Sequence, residues 1–196
     1  MKILLSTSNQ DKLKELKKIL GEDFEILLKS DFNLDNFDII EDGKTLEENA
    51  YKKAKALYDK TKLNVLADDT GLFVDVLEGR PGVFSARYAG EDGNYEANNQ
   101  KLLKEMKNYK NISERKAHFK TVLCFISENE EVHYIEGRLD GFIGFEKRGK
   151  NGFGYDPLFV LENDKTLAEI TNEEKNKISH RSRALSNFKK LLKEMK

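Results

Sequence analysis

Apolar positions along the chain change period several times, and each change marks an element. Residues 2–6 form a short apolar run read as a buried strand, and from Asn9 to Leu20 the residues Leu13, Leu16 and Leu20 recur at helical spacing. Thr45-Leu46-Glu47-Glu48 has the form of a capping box, after which Ala50, Ala54, Leu57 and Tyr58 share one face of a helix reaching about Lys60. Leu63 to Ala67 reads as a strand that breaks at Asp68-Asp69-Thr70-Gly71, and a strand-like pattern resumes from Leu72 to Leu77. Ala97, Leu102, Leu103 and Met106 predict a helix over Tyr95–Tyr109. The extended segments His118–Ser127 and Val132–Phe145 are expected to pair as antiparallel neighbours across a turn at Glu128-Asn129-Glu130. Gly149, Gly152, Gly154 and Pro157 predict a shaped loop before a strand at Leu158–Leu161, and Ser182–Met195 predicts a last helix.

Helices and strands thus alternate without repeats or linkers, which predicts an α/β or α+β chain with helices packed around a mixed sheet, one domain over 1–196. Lys+Arg (34) and Asp+Glu (35) nearly cancel, so no broad basic field favours nucleic acid or an anionic membrane. The polar turn that follows residues 1–6 leaves too short an apolar run for a signal peptide, and no stretch is apolar enough to span a bilayer, so an intracellular protein is expected. The lone cysteine, Cys124, sits in an apolar run and reads as a buried strand residue.

Candidate chemistry gathers in four segments. In Thr7-Ser8-Asn9-Gln10-Asp11-Lys12 a strand feeds a helix, so free amides, hydroxyls and a lysine suit a phosphate; equally, Ser8 or Asn9 simply caps the helix. Asp68-Asp69 ahead of Gly71 places carboxylates where a hard divalent cation can sit, and Glu41, Glu47 or Glu48 could add another; for Glu47 and Glu48 the alternative is ordinary first-turn placement. Gly152-Phe153-Gly154-Tyr155-Asp156-Pro157 offers either an aromatic face on which a purine stacks or an aromatic core plug beside a tight turn. Ser179-His180-Arg181-Ser182, with Lys175 and Lys177 upstream, concentrates donors for a phosphate or a base carbonyl, or merely caps a helix amid surface charge. There is no nucleophile elbow, zinc-type histidine spacing or P-loop.

Taken in order, Thr7, Asn9 and Lys12, Glu48-Asn49-Ala50, Ala67-Asp68-Asp69-Thr70-Gly71-Leu72, Pro81-Gly82-Val83-Phe84-Ser85-Ala86-Arg87-Tyr88, Phe153-Gly154-Tyr155-Asp156-Pro157 and Ser179-His180-Arg181 resemble the inosine triphosphate pyrophosphatase, or Ham1, family across nearly the whole chain. Ser8, Thr70 and Ser182 depart from that family's commonest residues without removing a charge. The resemblance implies an elongated mixed sheet with flanking helices, two lobes enclosing a cleft, and a cytoplasmic homodimer. It implies Mg²⁺-assisted hydrolysis of deaminated purine nucleoside triphosphates to the monophosphate and pyrophosphate. By the same resemblance Asp69 is the general base, Glu41 and Asp69 are metal ligands with Asp68 and Glu48 in reserve, and Lys12, Lys53 and Lys175 counter the triphosphate charge. Thr7, Asn9 and the amides of the first helix start then position phosphate oxygens, Phe153 stacks on the purine, and Ser8, Gln10, Asp11, Thr70, Gly154, Tyr155 and Asp156 are further substrate-binding residues. Arg181, with His180 as a second candidate, supplies donors that a 6-carbonyl accepts and adenine's amino group does not. Three rivals are a Maf-like pyrophosphatase for modified pyrimidine triphosphates, a nucleotide-binding regulator that lost catalysis, and an α/β interaction protein; FGYDP and SHR argue against the first and Asp68-Asp69 against the second.

Overall fold

The computed structural model describes residues 1–7, 9–20 and 24–195. It contains a mixed sheet with flanking helices, in the strand order β2-β1-β3-β5-β6-β7, with β4 paired to β3. The strands are β1 (Lys2–Leu5), β2 (Glu25–Leu27), β3 (Val65–Val74), β4 (Pro81–Gly82), β5 (Lys116–Ile126), β6 (Val132–Ile143) and β7 (Phe159–Val160). The helices are α1 (Gln10–Leu20), α2 (Leu46–Thr61), α3 (Tyr95–Glu105), α4 (Asn172–Ile178) and α5 (His180–Glu194). β1 runs parallel to both β2 and β3, whereas β4 and β7 pair antiparallel with β3 and β6.

The chain divides into two compact units, 1–69 with 121–137 and 181–196, and 70–120 with 138–180. Unit 1 is built on alternation. Ile3 and Leu5 of β1, Leu66 of β3, Leu123 and Phe125 of β5 and Ile135 of β6 form one apolar face, covered by Leu16 and Leu20 of α1 and Ala184, Leu185, Phe188 and Leu192 of α5. α2 buries Ala50, Ala54, Leu57 and Tyr58, the stripe that the helical period predicts, and Thr45 caps it by accepting from Glu48 N at 3.1 Å. The β5–β6 turn closes with Ser127 N donating to Glu131 O at 3.0 Å. Unit 2 has its own core, in which Leu72, Val74, Leu102, Met106, Phe119, Ile143, Tyr155, Leu158, Phe159 and Leu167 pack together.

Several boundaries differ from those the periodicity predicts. The acidic pair does not end a strand: β3 continues through Asp68-Asp69-Thr70-Gly71 for 10 residues. Within unit 2 the reason is a close approach, because a Cβ at Gly71 would lie 2.6 Å from the Gly82 carbonyl oxygen, and only glycine lets β4 pair there. α3 stops at Glu105 instead of running to Tyr109, since the buried Arg115 guanidinium takes the Met106 and Tyr109 carbonyls at 2.8 and 3.0 Å. β5 begins two residues early at Lys116, β6 ends at Ile143, and the 158–161 strand shortens to Phe159–Val160. β2 and α4 have too few residues to show a period, and α4 is held instead by a capping box between Thr171 and Glu174. Among the described residues no helix is long and apolar enough to cross a membrane.

Candidate active site

Strand alternation decides what Asp68 and Asp69 do. Neighbours on a strand point to opposite faces, so Asp68 shares the face of Leu66, toward α1 and α5, and Asp69 looks toward α2. Asp68 Oδ2 lies 3.0 Å from Lys12 Nζ and 3.6 Å from Arg181 Nε. Asp69 Oδ1 accepts from Lys53 Nζ at 3.0 Å and its Oδ2 accepts from Asn49 Nδ2 at 3.2 Å. Both aspartates are buried, yet their carboxyls are driven apart. Burial alone would raise Asp68, but Lys12, Arg181 and Lys53 overcome it and hold the group well below the usual range. For Asp69 burial wins over Lys53 and Lys12, with Glu41 adding to it, and the carboxyl moves upward.

Glu41 joins this cluster through Lys53, whose ammonium donates to Glu41 Oε2 at 2.8 Å as well as to Asp69. Burial works against the charged ammonium, but Asp69, Glu41 and Asp68 more than restore it, so Lys53 stays protonated with a raised pKa. Glu41 reaches Lys53 because the segment before α2 is pinned: Gly43 N donates to Asn49 Oδ1 at 2.8 Å, and a Cβ at Gly43 would lie 2.5 Å from that oxygen. Asn49 and Lys53 stand one helical turn apart on α2, and Glu15, which pairs with Arg181 Nη1, stands three residues after Lys12 on α1. Neither Asn49 nor Glu15 carries a role in the sequence reading, although each shares a helix face with a lysine that does.

The first candidate segment behaves mostly as a cap. Asn9 Oδ1 accepts from Asp11 N at 3.0 Å and Lys12 N at 3.1 Å, while Thr7 Oγ1 accepts from Asn9 N at 3.2 Å. The amides of Asn9, Asp11 and Lys12 are therefore engaged, Gln10 is exposed, and Lys12 is the member of the segment that reaches the acidic cluster. Ser8 lies outside the described residues. Glu48 is exposed and its carboxylate accepts from Lys44 N at 2.7 Å, an engagement at the start of α2. Thr70 is half-buried and is the residue of β3 at which unit 2 begins.

In unit 2 the glycine-rich loop is cinched around Asp156. Its Oδ2 accepts from Phe153 N at 2.9 Å and from Lys175 Nζ at 2.7 Å, and Lys175 Nζ also sits 4.6 Å from the centre of the Phe153 ring. Gly152 and Gly154 adopt φ of +74° and +62°, and a Cβ on Gly152 would collide with the Asp156 carboxylate at 2.0 Å. Tyr155 is a core plug, buried, with its hydroxyl donating to Ser85 O at 2.9 Å. Phe153 is half-buried, its ring beside Tyr95 and under the Lys175 ammonium. Lys175 is buried against Asp156, both side chains being no more than 4% exposed, so its charge is matched inside the protein. His180 lies over Phe119, ring centres 4.6 Å apart and planes within 22°.

Unit 1 thus gathers carboxylates, lysines and an arginine around the middle of β3, and unit 2 carries a glycine-aromatic loop, within an α/β fold. The chain belongs to the Ham1 family, whose model matches residues 3–191. It is 50% identical over 191 residues to the dITP/XTP pyrophosphatase of Thermoanaerobacter pseudethanolicus, covering 96% of this chain and 95% of that one. It is 46% identical over 193 residues to the dITP/XTP pyrophosphatase of Bacillus subtilis, covering 96% of each. Among solved structures, the Staphylococcus aureus Ham1 protein superimposes with a TM-score of 0.90 at 38% identity, covering all of both chains. The Coxiella burnetii HAM1 protein gives 0.89 at 38% identity over 99% of each.

Proposed function

We propose that this chain is a dITP/XTP pyrophosphatase, hydrolysing deaminated purine nucleoside triphosphates to the monophosphate and pyrophosphate. The observation that carries the chemistry is the divergence of Asp68 and Asp69. A pair of carboxyls pushed in opposite directions is how one site separates a permanent anion from a proton acceptor. Asp68 stays ionised and holds Lys12 and Arg181 at the cluster; Asp69, its carboxyl raised by burial, takes the proton of the attacking water. Lys12 and Lys53 neutralise the phosphates, and electrostatics and positioning, with no covalent intermediate, lower the barrier.

Among the described residues no group of three or more His, Cys, Asp or Glu is placed to hold a metal. Asp69 and Glu41 nevertheless meet on one ammonium, and two carboxylates plus substrate phosphate oxygens are the donor set that suits Mg²⁺. When bound there, Mg²⁺ would add Lewis-acid charge stabilisation at the phosphates. In our reading Phe153 stacks on the purine, and donors from His180 and Arg181 favour a 6-carbonyl over adenine's amino group, a mismatch that can exclude a substrate by roughly 10⁴-fold. Glu15 and Asp68 both pair with the Arg181 guanidinium. The family match across 3–191 supports treating 1–196 as one Ham1-like domain, and the reading extends to a cytoplasmic homodimer; a net charge of −1 gives nucleic acid no field to bind.

The test is pyrophosphate release from dITP, ITP, XTP, ATP, GTP and a modified pyrimidine triphosphate, with Mg²⁺ and with chelator. Metal-dependent release confined to dITP, ITP and XTP is the expected result. Preference for the pyrimidine would transfer the chain to a Maf-like activity, and binding of ITP without release would make it a regulator.

A further inference from the structure

Two residues of α3, Tyr95 and Asn99, stand one turn apart and both reach the 152–156 loop of unit 2. The Tyr95 and Phe153 ring centres lie 6.0 Å apart, tilted by 38°. Asn99 Nδ2 donates to the Gly154 carbonyl at 2.9 Å. Asn99 is 3% exposed, and its Oδ1 has no hydrogen-bond partner among the described residues. Its neighbour Asn98 makes a different use of the same side chain: Oδ1 accepts from Ala89 N at 2.7 Å and Nδ2 donates to Ala86 O at 3.0 Å, fastening the 86–89 turn. An amide buried with its oxygen idle does not serve general satisfaction of the fold, because that oxygen has lost water and gained nothing. What it does supply is one donor, aimed at one carbonyl.

That carbonyl is the variable one. Gly154 has φ +62°, and a glycine there can turn its peptide to several orientations at little cost. Asp156 fixes the peptide nitrogen of Phe153, and Asn99 fixes the carbonyl of the next residue, so the Phe153 backbone is clamped on both sides. Tyr95 then limits the tilt of the ring itself. We infer that Asn99, with Tyr95, is a positioning residue for the purine platform: from α3 it sets the Phe153 face before substrate arrives, and so sets affinity for the base without acting on the phosphates. Holding a contact surface in its bound form lowers the ordering cost of binding. The inference rests on the reading of Phe153 as the surface on which the purine stacks.

Asn99→Asp keeps the shape of the side chain but sets a carboxylate oxygen against the Gly154 carbonyl. Its KM for dITP should rise about tenfold while kcat stays within about twofold and inhibition by inorganic pyrophosphate is unchanged, the pattern of lost ground-state binding at the base alone. Asn99→Ala should shift KM the same way, and Tyr95→Leu by about threefold; should Asn99→Asp fail to fold, these two carry the test. Asn98→Ala should lower the melting temperature with KM unchanged. Unchanged KM in both Asn99 variants, or a kcat loss with parallel weakening of pyrophosphate, would overturn the inference. Wild-type protein that releases no pyrophosphate from dITP sinks the functional reading and this one with it. An active Phe153→Ala variant with normal KM removes the platform and leaves the activity standing.

Discussion

Each unit buries a lysine against an aspartate, and the two pairs are built to different ends. In unit 2, Lys175 and Asp156 pair at 3% and 4% exposure, and the same carboxylate also takes the Phe153 amide. In unit 1, Lys53 is shared between Asp69 and Glu41, and the carboxylates retain 11% and 37% exposure. The first pair is closed off from solvent and ties α4 to the 152–156 loop. The second sets one cation between two carboxylates that keep some exposure, while burial keeps Asp69 raised. In the proposed reading the closed, balanced pair fastens a loop, and the shared, partly open one serves the chemistry.

Removing one partner from each pair should have opposite consequences. Asp69→Asn should cut pyrophosphate release from dITP by about 10²–10⁴-fold while nucleotide binding remains measurable. Near-normal turnover in that variant would take Asp69 out of its role. Asp156→Ala strands the Lys175 ammonium in the interior and should cost about 3–5 kcal/mol in denaturant unfolding. The double variant Asp156→Leu, Lys175→Met should recover most of it, whereas no apolar pair at Asp69 and Lys53 should restore turnover. If Asp156→Ala proved as stable as wild type, the fastener reading of that pair would fail.

Asn49→Ala releases Asp69 and the pinned Gly43 segment that carries Glu41. The metal concentration for half-maximal activity should rise about 10–100-fold, the usual cost of losing a group that orients a ligand. The smallest effect concerns Cys124, free and buried in β5 of unit 1. Burial pushes its thiol from 9.0 up to about 12. Since the unfolded thiol ionises first, its contribution to stability is whole below pH 9 and fades as pH climbs toward 12. Iodoacetamide at pH 8 should label it more than about 10³-fold more slowly than in denaturant. The same slow labelling in Asp69→Asn would separate lost chemistry from lost structure.

Much of the scaffold was legible because it follows from period and caps. The α2 stripe Ala50, Ala54, Leu57, Tyr58 and the Thr45 cap are local facts, and so are the β5–β6 hairpin and the burial of Cys124. What misled was local as well. Asp-Asp-Thr-Gly has the composition of a turn, and only long-range partners turn it into mid-strand: Lys12, Arg181 and Lys53 for the charges, Gly82 for the glycine. Asn9 shows a local reading that holds: its side chain caps α1, one of the two roles its position offers.

Local sequence was enough to say which residues are apolar at which period, where helices start, and which charged and aromatic residues are present to be used, since these depend on neighbours within one turn of chain. Tertiary structure decided how the charges are shared. Adjacent aspartates separate because a strand sends them to opposite faces, and what waits on each face comes from α1, α2 and α5, segments far along the chain from β3. Whether a carboxyl is held down or pushed up depends on burial and on cations within a few ångströms, and only the folded chain sets those distances.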